Sequence, residues 1–122
     1  MLRFITVLVT VSSINLVSTG QLYAADAPKL FNFYCAQCHG PEGKGNGPNV
    51  NKDFKTDPRN FTETAEMNKL TDADIRNVIL DGGLAMSKSE LMPPWGKTLT
   101  KDEVNSLVKY LRKLCKCKGK SG

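Results

Sequence analysis

Histidine is almost absent from this chain. Of 122 residues only His39 carries an imidazole, and Trp95 is the only tryptophan. One imidazole does not make a Cys/His zinc site of ordinary spacing, which takes a second ligand pair. Long apolar runs are also missing. The one candidate, Phe4 to Val17, is interrupted by Thr, Ser and Asn and falls short of the roughly 20 residues a spanning helix needs. Aromatic residues make up 7% of the chain and are not interleaved with basic ones, which argues against a nucleic-acid surface. Four glycines and two prolines crowd into Gly40–Pro48, but no Gly-Lys-Ser/Thr follows and no strand precedes, so a phosphate cradle is excluded. There is no internal repeat, and the only biased stretch is the lysine-rich end.

The four cysteines fall into two close pairs. The first lies in Cys35-Ala36-Gln37-Cys38-His39, a C-x-x-C-H run, which is the attachment signature of c-type haem. Two thiols at this spacing can each add across one vinyl group of the same porphyrin, and the next residue offers an axial imidazole. The competing readings are half a zinc site and a redox dithiol. A lone histidine, a second cysteine pair far off at the C-terminus and an export-type start all weigh against them.

That start has the layout of a secretory signal peptide. Met1-Leu2-Arg3 is positive, an apolar stretch follows, and Leu22-Tyr23-Ala24-Ala25 provides small residues for cleavage. Residues 1–24 are therefore expected to be removed, to within a residue or two, leaving a soluble chain that is periplasmic or otherwise exported. No cysteine stands near the cut to carry a lipid. The remainder divides into one small domain, 25–114, and a basic cysteine-containing tail, 115–122. A domain this short buries little apolar surface alone, so a covalently held porphyrin would act as part of its core.

The periodicity predicts helices at both ends with loops between. Ala27, Leu30, Phe31 and Tyr34 share one helical face leading into Cys35, with Pro28 suited to the first turn. The glycine loop is expected to let the backbone wrap past a porphyrin edge, and Val50 to Met67 reads as an irregular loop with a short helix. Thr71 can cap a helix bearing Ile75, Val78 and Ile79 that Asp81-Gly82-Gly83 should stop. Thr100 and Glu103 form a capping box ahead of Val104, Leu107, Val108, Leu111 and Leu114.

A second chemical site is Met92-Pro93-Pro94-Trp95-Gly96. The prolines fix their own backbone and push the residue before them extended, so Met92 stands on a stiff loop. A thioether there can close the open face of a haem iron and raise its reduction potential. Met86 is the nearby competitor and Met67 a more distant one, and Trp95 reads as packing against the haem pocket. Most methionines are simply core, but a diproline behind this one in a haem-binding chain favours a ligand.

The order helix, Cys35-x-x-Cys38-His39-Gly40, glycine loop, capped helix, Met92-Pro93-Pro94-Trp95-Gly96, Leu99-Thr100 and a helix ending Val108-Lys109-Tyr110-Leu111-Arg112 resembles a class I monohaem cytochrome c. It is most similar to the small bacterial periplasmic cytochromes and the haem domains of cbb3 oxidases, over nearly the whole mature chain. The resemblance implies an all-α cytochrome c fold whose first and last helices pack together. It also implies one haem c, with Cys35 and Cys38 as thioether anchors, His39 as proximal ligand and Met92 as distal ligand.

Cys115-Lys116-Cys117 has no place in that pattern. A disulfide between them would close a small, easily reduced ring. The alternatives are exposed thiols on a frayed tail, a disulfide to another chain through Cys115 or Cys117, or a thiolate that displaces Met92. Removal of Arg3 with the leader takes 17 basic residues to 16 against 12 acidic ones. Arg112, Lys113, Lys116, Lys118 and Lys120 hold all of that excess, so the positive charge belongs to the tail. Such an end is either solvated and disordered or steers toward an acidic partner surface. The expected function is an electron carrier between a redox donor and acceptor, without enzyme activity or small-molecule substrate; with His39 on the iron, no second histidine supports peroxidase chemistry. The alternatives are a haem subunit of a larger redox complex and a haem protein binding NO or CO through a labile or thiolate distal position.

Overall fold

The computed structural model describes residues 25–121; the expected signal peptide, 1–24, lies outside them. Five helices follow one another: α1 Ala27–Tyr34, α2 Ala36–His39, α3 Thr64–Met67, α4 Asp72–Ala85 and α5 Lys101–Cys115. No strand occurs among the described residues, and none of their helices is long and apolar enough to cross a membrane.

The helix ends are set by local chemistry. Asp26 accepts from the Lys29 amide to start α1, and Pro28 occupies its first turn. Thr71 and Asp74 form a reciprocal capping box on α4, as Thr100 and Glu103 do on α5. Each box satisfies two backbone amides that the helix leaves open. In α4 helical geometry breaks at Gly82, where the sequence places the stop, and one more turn follows.

The last helix organises the core. Val104, Leu107, Val108, Leu111 and Cys115 form its buried stripe, against which α1, α3 and α4 all pack. The terminal helices meet through Phe31, which is fully buried and lies 5.4 Å from the Tyr110 ring. Met67, Ile75, Ile79 and Leu99 complete the core. A protruding α5 stripe is therefore what holds α1, and with it the Cys35–His39 segment, in place.

Beyond α5 the chain is not a frayed end. Cys115 is 1% exposed and is bonded to Cys117, so the pair closes within the chain rather than onto another one. Gly119 donates to the Asn68 side chain and Lys120 to the Leu70 carbonyl, which straps the tail across the loop between α3 and α4. Of the two readings of the basic end, the disordered one is corrected by these contacts. So is the thiolate alternative, because neither cysteine reaches a cavity wall.

Candidate functional site

Cys35 closes α1 and opens α2, where Cys38 and His39 form a single turn hydrogen-bonded back to the Cys35 carbonyl at 3.2 and 2.9 Å. That turn presents both thiols and the imidazole on one side. Cys38 and His39 line a cavity of about 650 Å³, and with Cys35 they line a second of about 300 Å³. The walls are mostly apolar, with Phe61, Ile79, Leu111 and Met92 common to both.

His39 is buried and held from two sides. Its Nδ1 lies 3.0 Å from the Arg59 carbonyl, which can only accept, so Nδ1 carries the proton and Nε2 keeps its lone pair. Phe61 stacks on the ring at 4.5 Å. Burial pushes the imidazole below its ordinary value, against the opposing pull of the Arg59 carbonyl. The neutral, ligating form is the one this environment favours.

The Cys35 thiol is pushed up to about 12 by burial, with Cys38 adding to the effect. Redox-active Cys-x-x-Cys thiols are shifted the opposite way. No three His, Cys, Asp or Glu side chains gather as a metal cluster among the described residues. The dithiol and zinc readings both lose ground on this chemistry.

The glycine loop does something other than expected. None of its glycines lines either cavity. Instead the loop is tied to its neighbours: Gly45 donates to the His39 carbonyl at 2.7 Å and Gly47 to the Cys38 carbonyl at 3.0 Å, while Phe61 donates to Gly43 at 2.7 Å. At Gly45, with φ +78°, a Cβ would run into the Pro58 carbonyl. The loop therefore binds α2 to the segment carrying Arg59 and Phe61, and so orients His39 from behind rather than wrapping a porphyrin edge.

Met92 is half-buried and, among the described residues, is the only methionine that shares both cavities with His39. Met86 and Met67 line the larger cavity alone. The Met92 loop is pinned to α4, with Gly83 donating to the Met92 carbonyl at 2.9 Å and Trp95 to Ile79 at 2.9 Å. Trp95 lines the smaller cavity and meets Tyr34 edge-on at 5.1 Å. All five candidate residues are thus brought to one cavity system. Arg59, Phe61 and Lys88 also line it and had no sequence signal, since they sit in segments without periodicity.

A thiol pair beside a buried imidazole with a free Nε2, a thioether facing the same space and apolar walls define a small haem-binding domain of the cytochrome c type. The chain belongs to the family described as cytochrome c oxidase, cbb3-type, subunit III, whose model matches residues 23–111. Among solved structures it is similar to the KustC0563 c-type cytochrome, with 29% identity and a TM-score of 0.58 over 73% of this chain and 96% of that one. No curated protein matches. Membership implies covalently bound haem c, and the donor set on these walls fits it. The all-α fold expected of such a domain is the one observed.

Proposed function

We propose that this protein is an exported, periplasmic electron carrier with one haem c held by His/Met ligation. Cys35 and Cys38 are the thioether anchors, His39 the proximal ligand and Met92 the distal ligand. The observation that carries this reading is the shared exposure of His39 and Met92 to the same two cavities, each side chain fixed by its own hydrogen-bonded loop.

When bound, the haem supplies a one-electron couple whose potential a His/Met pair raises. The chain's own part is positional. Arg59 holds the protonated Nδ1 so that Nε2 stays available, and Phe61 fixes the ring plane. Gly83 holds the Met92 backbone, and Ile79 and Leu111 give the space between apolar walls. If His39 and Met92 both hold the iron, no position on it is left for a substrate, which favours electron transfer over catalysis. The partners are a redox donor and acceptor, and the basic tail suits an acidic docking surface on one of them.

The test is addition of CO to the reduced, purified protein. An unchanged visible spectrum supports a retained Met92; a shifted Soret band means a labile sixth position and overturns the carrier reading in favour of gas binding. A second reading, a fixed subunit of a larger redox complex, draws support from the family's subunit description and from the exposed Phe33, Leu84 and Leu91. Co-purification at the size of an assembly, rather than as a monomer, would favour it.

A further inference from the structure

The cytochrome c pattern leaves the Cys115–Cys117 pair without a role. One residue separates the two cysteines, and that residue, Lys116, sits in the left-handed region at φ 50°. Side chains other than glycine and asparagine seldom adopt it. The ring is closed at the C-terminus of α5, where the Lys116 and Cys117 amides both turn back onto Arg112 and its neighbour Lys113. Cys115 is buried in the core, whereas Cys117 is half-buried, so Cys117 is the more accessible end of the bond.

Arg112 connects this bond to the haem cavity. Its side chain is 11% exposed, and its guanidinium spends its donors in four directions. Nε reaches Asp72 at 2.8 Å, Nη1 the Met67 carbonyl at 2.8 Å and Cys117 Sγ at 3.6 Å, and Nη2 the Leu70 carbonyl at 2.8 Å. Met67 and Leu70 are wall residues of the larger cavity. The carbonyl of Cys115 itself accepts from Thr64 in α3 at 2.7 Å. The segment 64–70 is thus clamped between the cavity on one side and the disulfide-closed tail on the other.

We propose that Cys115–Cys117 is a second redox site, a two-electron thiol–disulfide pair that accepts reducing equivalents from a dithiol reductant and sets how firmly the 64–70 wall is held. A thiolate of the reductant attacks Sγ of Cys117, the more accessible cysteine, the Cys115–Cys117 bond breaks, and Cys115 leaves and takes up a proton. The reductant's second thiol then closes its own disulfide and releases Cys117, which takes up the second proton. Two electrons and two protons pass from the reductant to the pair. Arg112 stands beside the sulfur on which charge develops in the second step. Lys113, Lys116, Lys118 and Lys120 give an anionic nucleophile a positive field to approach, which accounts for where the chain puts its excess charge. Opening the pair frees the tail, loosens the Arg112 clamp, admits water to the cavity and lowers the haem's potential. This last step rests on the haem reading; the thiol chemistry does not.

The experiment is to equilibrate the holoprotein in mixtures of reduced and oxidised dithiothreitol, trap thiols with an alkylating reagent and read the mass, with haem potentiometry in parallel. The expected result is two alkylated cysteines appearing together while the oxidised reagent is still in about tenfold excess, a ratio at which structural disulfides stay closed. The haem potential then falls, and Cys115→Ser/Cys117→Ser shows the same lowered value. A pair that opens only after denaturation overturns the redox site. Thiols that appear with no change in potential overturn the coupling to the cavity wall. Full reduction in denaturant separates this from the haem reading: two alkylated cysteines mean Cys35 and Cys38 carry haem, and four mean they do not.

Discussion

Gly82→Ala is the substitution that tests the proposed Met92 ligation in numbers. Gly82 sits at φ 81°, ψ 171°, a region open to glycine and almost closed to every other residue. Forcing alanine there costs on the order of 1–3 kcal/mol. The new methyl would also stand 3.0 Å from the Met92 carbonyl oxygen and from the Pro94 nitrogen, tighter than ordinary contact. The backbone relieves both by rotating away, which draws the Gly83 amide off the Met92 carbonyl it now meets at 2.9 Å. That adds about 0.5–1.5 kcal/mol for a lost hydrogen bond. If about 2 kcal/mol of the total falls on the Met92 loop, the sixth position opens roughly 30-fold more often, at 1.4 kcal/mol per factor of ten. The assay is CO titration of the reduced protein well below its unfolding temperature, with exposed Leu84→Ala as the control for a change on the same turn. A Gly82→Ala protein that binds CO no better than the control refutes the argument that the two glycines hold Met92.

Met92→Ala is expected to let CO bind the reduced protein outright, whereas Met86→Ala leaves the spectrum unchanged; the reverse pattern in the same titration reassigns the ligand. Asp74 lies below its ordinary value of 3.8 because the Thr71 amide and hydroxyl hydrogen-bond its carboxylate. Its capping contribution is therefore complete above that value and is lost as pH falls through the lowered folded value. Acid titration of thermal stability should show Asp74→Asn losing this part of the pH dependence. Leu107, fully buried at the centre of the α5 stripe, should cost about 2–5 kcal/mol on truncation to alanine, read from the denaturant midpoint.

The residues visible in the sequence were those whose chemistry is local. Cys35, Cys38 and His39 occupy one turn, so their spacing is their geometry. The capping boxes of α4 and α5 likewise join residues three apart. The Met92 loop stands out because two prolines mark it, and the structure places its side chain on the same cavities as His39. What stayed hidden depends on contacts between distant segments. Arg59 acts on His39 through its backbone carbonyl, 20 residues away, and a carbonyl leaves no trace in side-chain identity. Phe61 stacks on His39 from an irregular stretch that has no period to betray a buried face. The glycine loop was recognised as a tight loop but assigned the wrong neighbour, since composition shows that a chain must approach something and not what it approaches. The tail looked like a solvated end because its lysines dominate the composition, while Arg112, Thr64 and Asn68 decide its packing.

The cavity volume makes the cofactor a structural requirement as well as a functional one. The cavity, of about 650 Å³, is open on one side, so without the cofactor water enters it and wets Ile75, Ile79, Leu111 and Met67, which form part of the core. Each Å² of that apolar surface left wet forgoes about 25 cal/mol of burial. The contact between α1 and α5 suffers less, because Tyr110 and Val104 line neither cavity and Phe31 lines only the smaller one. Cys35→Ala/Cys38→Ala should therefore keep much of its helix signal in far-ultraviolet circular dichroism while losing the near-ultraviolet bands of fixed aromatic packing. A cooperative thermal transition in that double variant, with wild-type near-ultraviolet bands, would show that the 54–70 wall stands without haem and that the volume argument fails.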